Sequence, residues 1–461
     1  MLFNSVQFFV FLIVTLTLFY LSPERFRRLI LLFASYFFYM SWNWKFIPLL
    51  LSLTIIDFFC AKWIVRTQGG RRKLAMIISV AANLGFLGFF KYYNFLANNI
   101  ASLIGRPDHA FYLNIVLPLG ISFHTFQSIS YVIDVYRGEQ EPIHNFLDYA
   151  VFIAFFPQLV AGPIVRAREF FGNLFHWQAP SLDDIQNGVF LIFIGLCKKM
   201  AFADQFAQIA DSYFNDLAAH PGAIPAWTGT IAFAMQIFFD FSGYTDIAIG
   251  TAKLFGFHFP LNFARPYLAT SITDFWHRWH MSLSRWLRDY LYIPLGGNRR
   301  GEWRTYLNLM LTMLLGGMWH GASWNFMIWG GYHGLLLSLE RTQRGRLGDV
   351  PAWRNPLRAI LTFLLVCIGW VFFRAKTYAD SSFVLHQMFT SARGSSLLLH
   401  RHYAMIAVSL LIALMEERWQ VIDRIIEGPR WVQATAFAGI ALTIELFGVI
   451  DQTIPFVYFQ F

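Results

Sequence analysis

Long apolar runs separated by short basic or aromatic breaks make up most of this chain, and the pattern predicts a helical membrane protein. Runs of about 18 to 22 residues recur along it, each long enough to cross a ~30 Å hydrocarbon core as helix. The ten-residue alternating segments of a membrane barrel do not occur. A first span over about Val6–Leu21 is followed by Arg25, Arg27 and Arg28; a second ends at Trp42-Asn-Trp44. A third, about Phe46–Cys60, precedes the cluster Lys62, Arg66, Arg71, Arg72 and Lys73, and a fourth covers about Leu74–Phe90. The bias of basic residues places the N-terminus outside. With no basic flank before it and no cleavage site before Pro23, Phe8–Tyr20 is expected to be a retained span rather than a signal peptide.

From Leu117 the spans carry polar residues. Pro118, Gly120, His124, Gln127, Ser128, Ser130 and Asp134 interrupt one, and Phe156–Pro163 holds two prolines and a glycine. Polar groups at such depth must face protein or a water-filled cavity, so a broken or re-entrant helix is expected here. Further spans are expected over about Gly188–Ala203, Ala223–Phe257, Tyr306–Leu339, Ile360–Phe373, Tyr403–Leu414 and Ala434–Ile450. The expected architecture is all-α, one integral-membrane domain over residues 1–461 with roughly eleven membrane segments, broken ones included.

Composition supports that class. Of 461 residues, 56% are hydrophobic and 14% charged, and mean hydropathy is +0.46, against roughly 25% charged for a soluble domain. The formal charge of +9 would suggest nucleic acid in a soluble protein; here basic cytoplasmic flanks account for it. Cys60, Cys197 and Cys367 lie in or beside apolar runs without paired spacing, so neither a disulfide framework nor a metal site is expected.

Two stretches carry candidate chemistry. Over Trp276–Tyr290, helical spacing puts Trp276, Trp279, His280, Leu283, Trp286, Leu287 and Tyr290 on one face and His277, Arg278, Arg285, Arg288 and Asp289 on the other. Such a helix would lie along the membrane surface, and its guanidinium face could anchor anionic lipid or bind the phosphates of a nucleotide-containing donor. His280 points inward, as a satisfied core histidine or a functional one. The second stretch is Gly317–Gly321, with His320 roughly 21 Å along its segment from Tyr306 at ~1.5 Å per residue. Arg299, Arg300 and Arg304 precede that segment and Arg341, Arg344 and Arg346 follow it, which predicts a hairpin turning near Gly321–Trp324 with both ends cytoplasmic. Buried without a carboxylate, an imidazole stays neutral and can take a proton from a hydroxyl, the chemistry of acyl transfer from a thioester. His333 is expected to be a packing histidine near the interface. In the apolar run around Gln236, residues Asp240 and Asp246 are costly unless paired, and Arg or Tyr partners in a polar core are the structural expectation.

Seven phrases occur in order: Leu119–Phe126, Ile133–Arg137, Phe156–Pro163, Phe239–Asp246, Phe275–Leu295, Met318–Gly321 and Phe456–Phe461. Together they resemble the membrane-bound O-acyltransferase family, in its bacterial alginate O-acetyltransferase branch, nearly end to end. The resemblance implies a bundle of tilted helices around a tunnel, with His320 and His280 as the catalytic histidines. His124 stands where relatives often have Tyr and receives no role. Arg278, Arg285 and Arg288 are then expected near the donor, with Asp240, Tyr244, Asp246 and Asn325 as polar support. The implied function is inner-membrane O-acetylation of an exopolysaccharide such as alginate or cellulose, from a cytoplasmic donor such as acetyl-CoA, with no bound cofactor. Periplasmic acetyltransferase or esterase-like proteins, polysaccharide and membrane lipids are the implied partners, and nucleic acid is not. Two alternatives stay open: D-alanyl transfer to teichoic acid from a carrier-protein thioester, and a transporter or flippase without acyl chemistry.

Overall fold

A computed structural model describes residues 1–107, 110–159, 162–343, 355–390, 394–449 and 454–459. Among these residues the chain is helical throughout, with no strand. It divides into two compact units: residues 1–189 with 247–260, and residues 190–246 with 261–461.

The helices follow in chain order. They are α1 (Val6–Leu21), α2 (Glu24–Asn43), α3 (Ile47–Arg66), α4 (Gly69–Leu87), α5 (Tyr93–Leu103), α6 (Ile121–Arg137), α7 (Phe146–Ala154), α8 (Phe156–Leu159), α9 (Ala167–Phe175) and α10 (Leu182–Leu196). Next come α11 (Asp204–Asn215), α12 (Ala223–Leu254), α13 (Ile272–Arg278), α14 (Met281–Leu287), α15 (Glu302–His320), α16 (Trp324–Thr342) and α17 (Pro356–Arg374). The last are α18 (Tyr378–Met388), α19 (His400–Trp419), α20 (Val421–Ile426) and α21 (Arg430–Phe447). π-helical turns interrupt the series at Gly88–Tyr92, Cys197–Ala203 and Arg288–Tyr292.

In the first unit, α1 to α4 overlap the expected spans because their apolar runs are long and broken only by single polar residues, such as Asp57 in α3 and Asn83 in α4. Among the described residues, three helical stretches are long and apolar enough to cross a membrane, Glu24–Arg66, Gly69–Leu103 and Pro356–Arg374, and α1 is a shorter apolar helix. The other helices carry polar residues or breaks that apolarity alone does not register. One break falls at Phe155, whose non-helical backbone separates α7 from α8. The Ser35 hydroxyl accepts the Phe156 N–H at 3.1 Å, satisfying a donor that the break releases. Val160 and Ala161 of the expected Pro-Gly-Pro interruption lie outside the described residues. Asp57, fully buried on α3, accepts from the Ser79 hydroxyl at 2.6 Å and the Asn83 amide at 2.8 Å, with the Ser128 hydroxyl beside it.

In the second unit, α15 and α16 form the hairpin expected from sequence, with its turn at residues 321–323; Arg344 and Arg346, used in that expectation, lie outside the described residues. Glycine sets the separation of the two helices. A Cβ on Gly317 would stand 2.2 Å from the Phe326 carbonyl oxygen, and one on Gly330 2.3 Å from that of Met313. Only bare backbone fits at such contacts, the usual device for close helix pairs in membranes. Large apolar side chains such as Trp431, Leu442 and Leu446 on α21 point outward, as lipid-facing positions should.

Candidate active site

All the residues of this site belong to the second unit. The face assignment over 276–290 holds: Trp276, Trp279, His280, Leu283, Trp286, Leu287 and Tyr290 are all buried, whereas His277 and Arg288 are exposed. The single helix expected there does not form. It breaks after Arg278 into α13 and α14, with Trp279 extended and His280 in the left-handed region at φ 43°, ψ 54°. A non-glycine residue holds that conformation only where its surroundings over-determine it. Here Asn262 does so. Its backbone oxygen accepts the Met281 N–H at 2.9 Å, and its side-chain oxygen accepts the Ser282 N–H at 3.1 Å and the Ser282 hydroxyl at 2.9 Å.

The same Asn262 oxygen lies 3.2 Å from His280 Nδ1. Because the Ser282 backbone N–H must face an oxygen, the amide orientation is fixed, and His280 Nδ1 is then the donor. The proton sits on Nδ1 and the lone pair on Nε2, the tautomer of a potential base or hydrogen-bond acceptor. The local sequence has no glycine or proline at the break. The signal lies about twenty residues upstream, in Asn262.

His320 is the last residue of α15, before the extended Gly321. A Cβ on Gly321 would meet the Phe326 ring at 2.0 Å, so glycine permits the tight turn that leaves His320 at the helix end. The imidazole is buried in an aromatic box, with ring centroids at 4.9 Å to Trp319, 5.1 Å to Trp329, 5.1 Å to Phe373 and 5.8 Å to Tyr458. His280 joins this box through Trp319 at 6.1 Å and through Phe241 at 4.7 Å, which in turn packs on Tyr458 at 4.5 Å. The two sequence-predicted histidines thus share one aromatic cluster. Tyr458, a member of the cluster that sequence reasoning treated only as part of a terminal phrase, has a buried hydroxyl with no hydrogen-bond partner among the described residues.

His333 lies midway along α16. It is fully buried, stacked on Phe275 and edge-on to Trp276 and Trp329, and neither ring nitrogen has a hydrogen-bond partner among the described residues. Its packing role stands; its surroundings are aromatic because α13 folds back onto α16.

Beside the cluster is a pocket of about 500 Å³. His277, Arg285, Arg288 and Arg341 supply its basic wall and Trp276, Met281, Leu287 and Met313 much of its apolar one. Trp276 packs on Trp329 at 5.7 Å, and Trp329 packs on His320, so a continuous aromatic path joins pocket wall to histidine. Arg288 is also paired with Asp289 at 2.6 Å. Arg278 does not line the pocket: it binds Asp274 at 2.7 Å and Glu417 through two bonds of 3.0 Å. Burial alone would raise the Glu417 pKa, but the Arg278 and Arg265 guanidinium groups outweigh it and hold the carboxyl below the usual glutamate range.

The polar support residues pair with other partners than expected. Asp246 binds Lys198 at 2.6 Å and Asp240 binds Lys199 at 3.0 Å, so lysine rather than Arg or Tyr neutralises them. Gly243 permits the close approach of the two helical segments, since a Cβ there would stand 2.8 Å from the Gly195 backbone oxygen and 3.2 Å from the Lys199 backbone nitrogen. Tyr244 packs on Phe456 at 4.4 Å. Asn325 donates to the carbonyls of Ala375 at 2.9 Å and Thr377 at 3.0 Å, tying the start of α16 to the turn between α17 and α18.

Residues 139–377 match the family model for the membrane-bound O-acyltransferases. The chain belongs to this family. It is 46% identical over 379 residues, 81% of this chain and 74% of the relative, to the probable alginate O-acetylase AlgI of Azotobacter vinelandii. Against the probable alginate O-acetylase AlgI of Pseudomonas aeruginosa it is 46% identical over 380 residues, 81% of this chain and 72% of the relative. The peptidoglycan O-acetyltransferase of Helicobacter pylori is 40% identical over 403 residues, 80% of this chain and 75% of the relative. The protein is accordingly a membrane-embedded O-acyltransferase.

Proposed function

We propose that the protein is an inner-membrane O-acetyltransferase that supplies acetyl groups for modification of an extracytoplasmic polysaccharide. The observation that carries this reading is the shared aromatic cluster of His280 and His320 next to a basic, apolar-lined pocket, in a chain similar to relatives named for O-acetyl transfer. Acetyl-CoA is the donor that suits the pocket: Arg285, Arg288, Arg341 and His277 would meet phosphates, and the apolar wall would receive the pantetheine arm. Arg278 would fix that wall through Glu417.

In the reaction, His320 takes the proton of an acceptor hydroxyl as its oxygen attacks the thioester carbonyl. The C–O bond forms, the C–S bond breaks, and the departing thiolate receives the proton. His280, held in one tautomer by Asn262, would orient the thioester or relay that proton. The fold would be a single membrane domain of roughly eleven segments around a tunnel, so that donor and acceptor enter from opposite sides. Alginate-type exopolysaccharide is the acceptor suggested by the relatives, reached with periplasmic acetylation partners.

The test is the acetyl content of the cell's exopolysaccharide in a His320→Ala strain whose protein still inserts in the membrane. Loss of acetyl supports the reading. Normal acetyl content overturns it, and D-alanyl ester in its place would move the protein to carrier-dependent D-alanyl transfer.

A further inference from the structure

We infer that Lys199, Asp204 and Asp240 form a buried latch that holds the C-terminal segment in the histidine cluster, making them positioning residues for acyl transfer. The inference rests on the proposed acyl-transfer reading only for its kinetic consequence. Lys199 Nζ lies 2.6 Å from Asp204 Oδ1 and 3.0 Å from Asp240 Oδ1, and all three side chains are almost fully buried. One lysine serves two buried carboxyl groups, so the carboxyl oxygens that its ammonium does not meet call for further hydrogen-bond donors in apolar surroundings. Asp240 Oδ2 finds one in the Val457 backbone N–H, at 2.6 Å.

That bond sets the register of the segment. Residues 454–456 are irregular and 457–459 form one 3-10 turn, so no regular structure fixes their alignment. With Val457 tied to Asp240, Phe456 lies on Tyr244 at 4.4 Å, and Tyr458 lies on Phe241 at 4.5 Å and beside His320 at 5.8 Å. A slip of one residue would put Pro455 or Val457 in the place of Phe456 and Val457 or Phe459 in the place of Tyr458, so the tyrosine would leave its position beside His320 in either direction. Lys199 sits on the π-helical turn Cys197–Ala203, an irregularity that aims the ammonium at both carboxylates. The chain of contacts therefore runs from Lys199 and Asp204 through Asp240 and Val457 to Tyr458 and His320.

Two experiments on the protein in nanodiscs test this. In a background lacking the three native cysteines, Val457→Cys reports on segment docking through its reaction with a water-soluble maleimide. The cysteine should be protected, because Val457 is fully buried, and adding Asp240→Leu should speed labelling by about tenfold or more as the segment opens locally. Equal labelling rates with and without Asp240→Leu overturn the latch. Val457→Pro removes the N–H donor, at the cost of a changed side chain and a restrained Phe456 backbone, and leaves the buried ions intact. It should lower kcat for transfer from acetyl-CoA by about tenfold or more with donor KM within about twofold, as expected of misplacement rather than lost binding. Wild-type kcat in Val457→Pro overturns the positioning role. If wild-type protein transfers no acetyl at all, the acyl-transfer reading fails while the labelling comparison still decides the latch.

Discussion

Asp57 in the first unit and Asp240 in the second are both carboxylates buried within apolar helices, yet they are served differently. Among the described residues, Asp57 is served by neutral groups, the hydroxyl of Ser79 and the amide of Asn83, with the Ser128 hydroxyl beside it. Asp240 faces a buried lysine already claimed by Asp204 and holds the backbone of a distant segment. Neutral donors bind helices together and need no particular geometry beyond the bond itself. A charge cluster is costly to bury, and its retention beside the histidines fits a role in fixing where another part of the chain sits.

The comparison can be broken most sharply at Lys199. Lys199→Met would leave two buried carboxylates facing each other and should cost about 3–5 kcal/mol in thermal unfolding of the detergent-purified protein. A loss as small as that of a surface substitution would mean that the cluster is hydrated and carries no strain. Asn262→Ala should come next. It strands the Ser282 N–H and hydroxyl and lets His280 leave its left-handed conformation, at about 1–3 kcal/mol, with a fall in acetyl transfer larger than the stability change explains. Transfer that tracks stability alone would reduce Asn262 to a structural residue. Asp57→Asn should have the smallest effect, about 1 kcal/mol or less, because an amide oxygen still accepts from Ser79 and Asn83, and transfer should be unchanged. A large loss of activity in that variant would show that the first unit also takes part in the chemistry.

The sequence made the buried faces legible more than the pairings. Long apolar runs located α1 to α4, helical spacing located the inward face of 276–290, and basic flanks around a glycine-bearing run located the hairpin whose first helix ends at His320. These features are encoded within a few turns of helix. The break at His280 depends on Asn262, eighteen residues away, and carries no local breaker. Arg278 read as a donor ligand from its own helix, and its engagement with Glu417, 139 residues on, is invisible to any helical wheel. Lysine partners for Asp240 and Asp246 were missed for the same reason: Lys198 and Lys199 lie forty or more residues upstream and reach them through a π-helical turn. Tyr458 stood in a recognised phrase, but nothing local indicated that its ring would lie against His320.

If His320 is the base of the transfer, purified His320→Ala protein in nanodiscs, with thermal unfolding recorded in parallel, should transfer acetyl from labelled acetyl-CoA at least about a hundredfold more slowly than wild type at unchanged stability, the scale expected when a general base is removed. A rate within about threefold of wild type, on that same scale for a lost base, would contradict it.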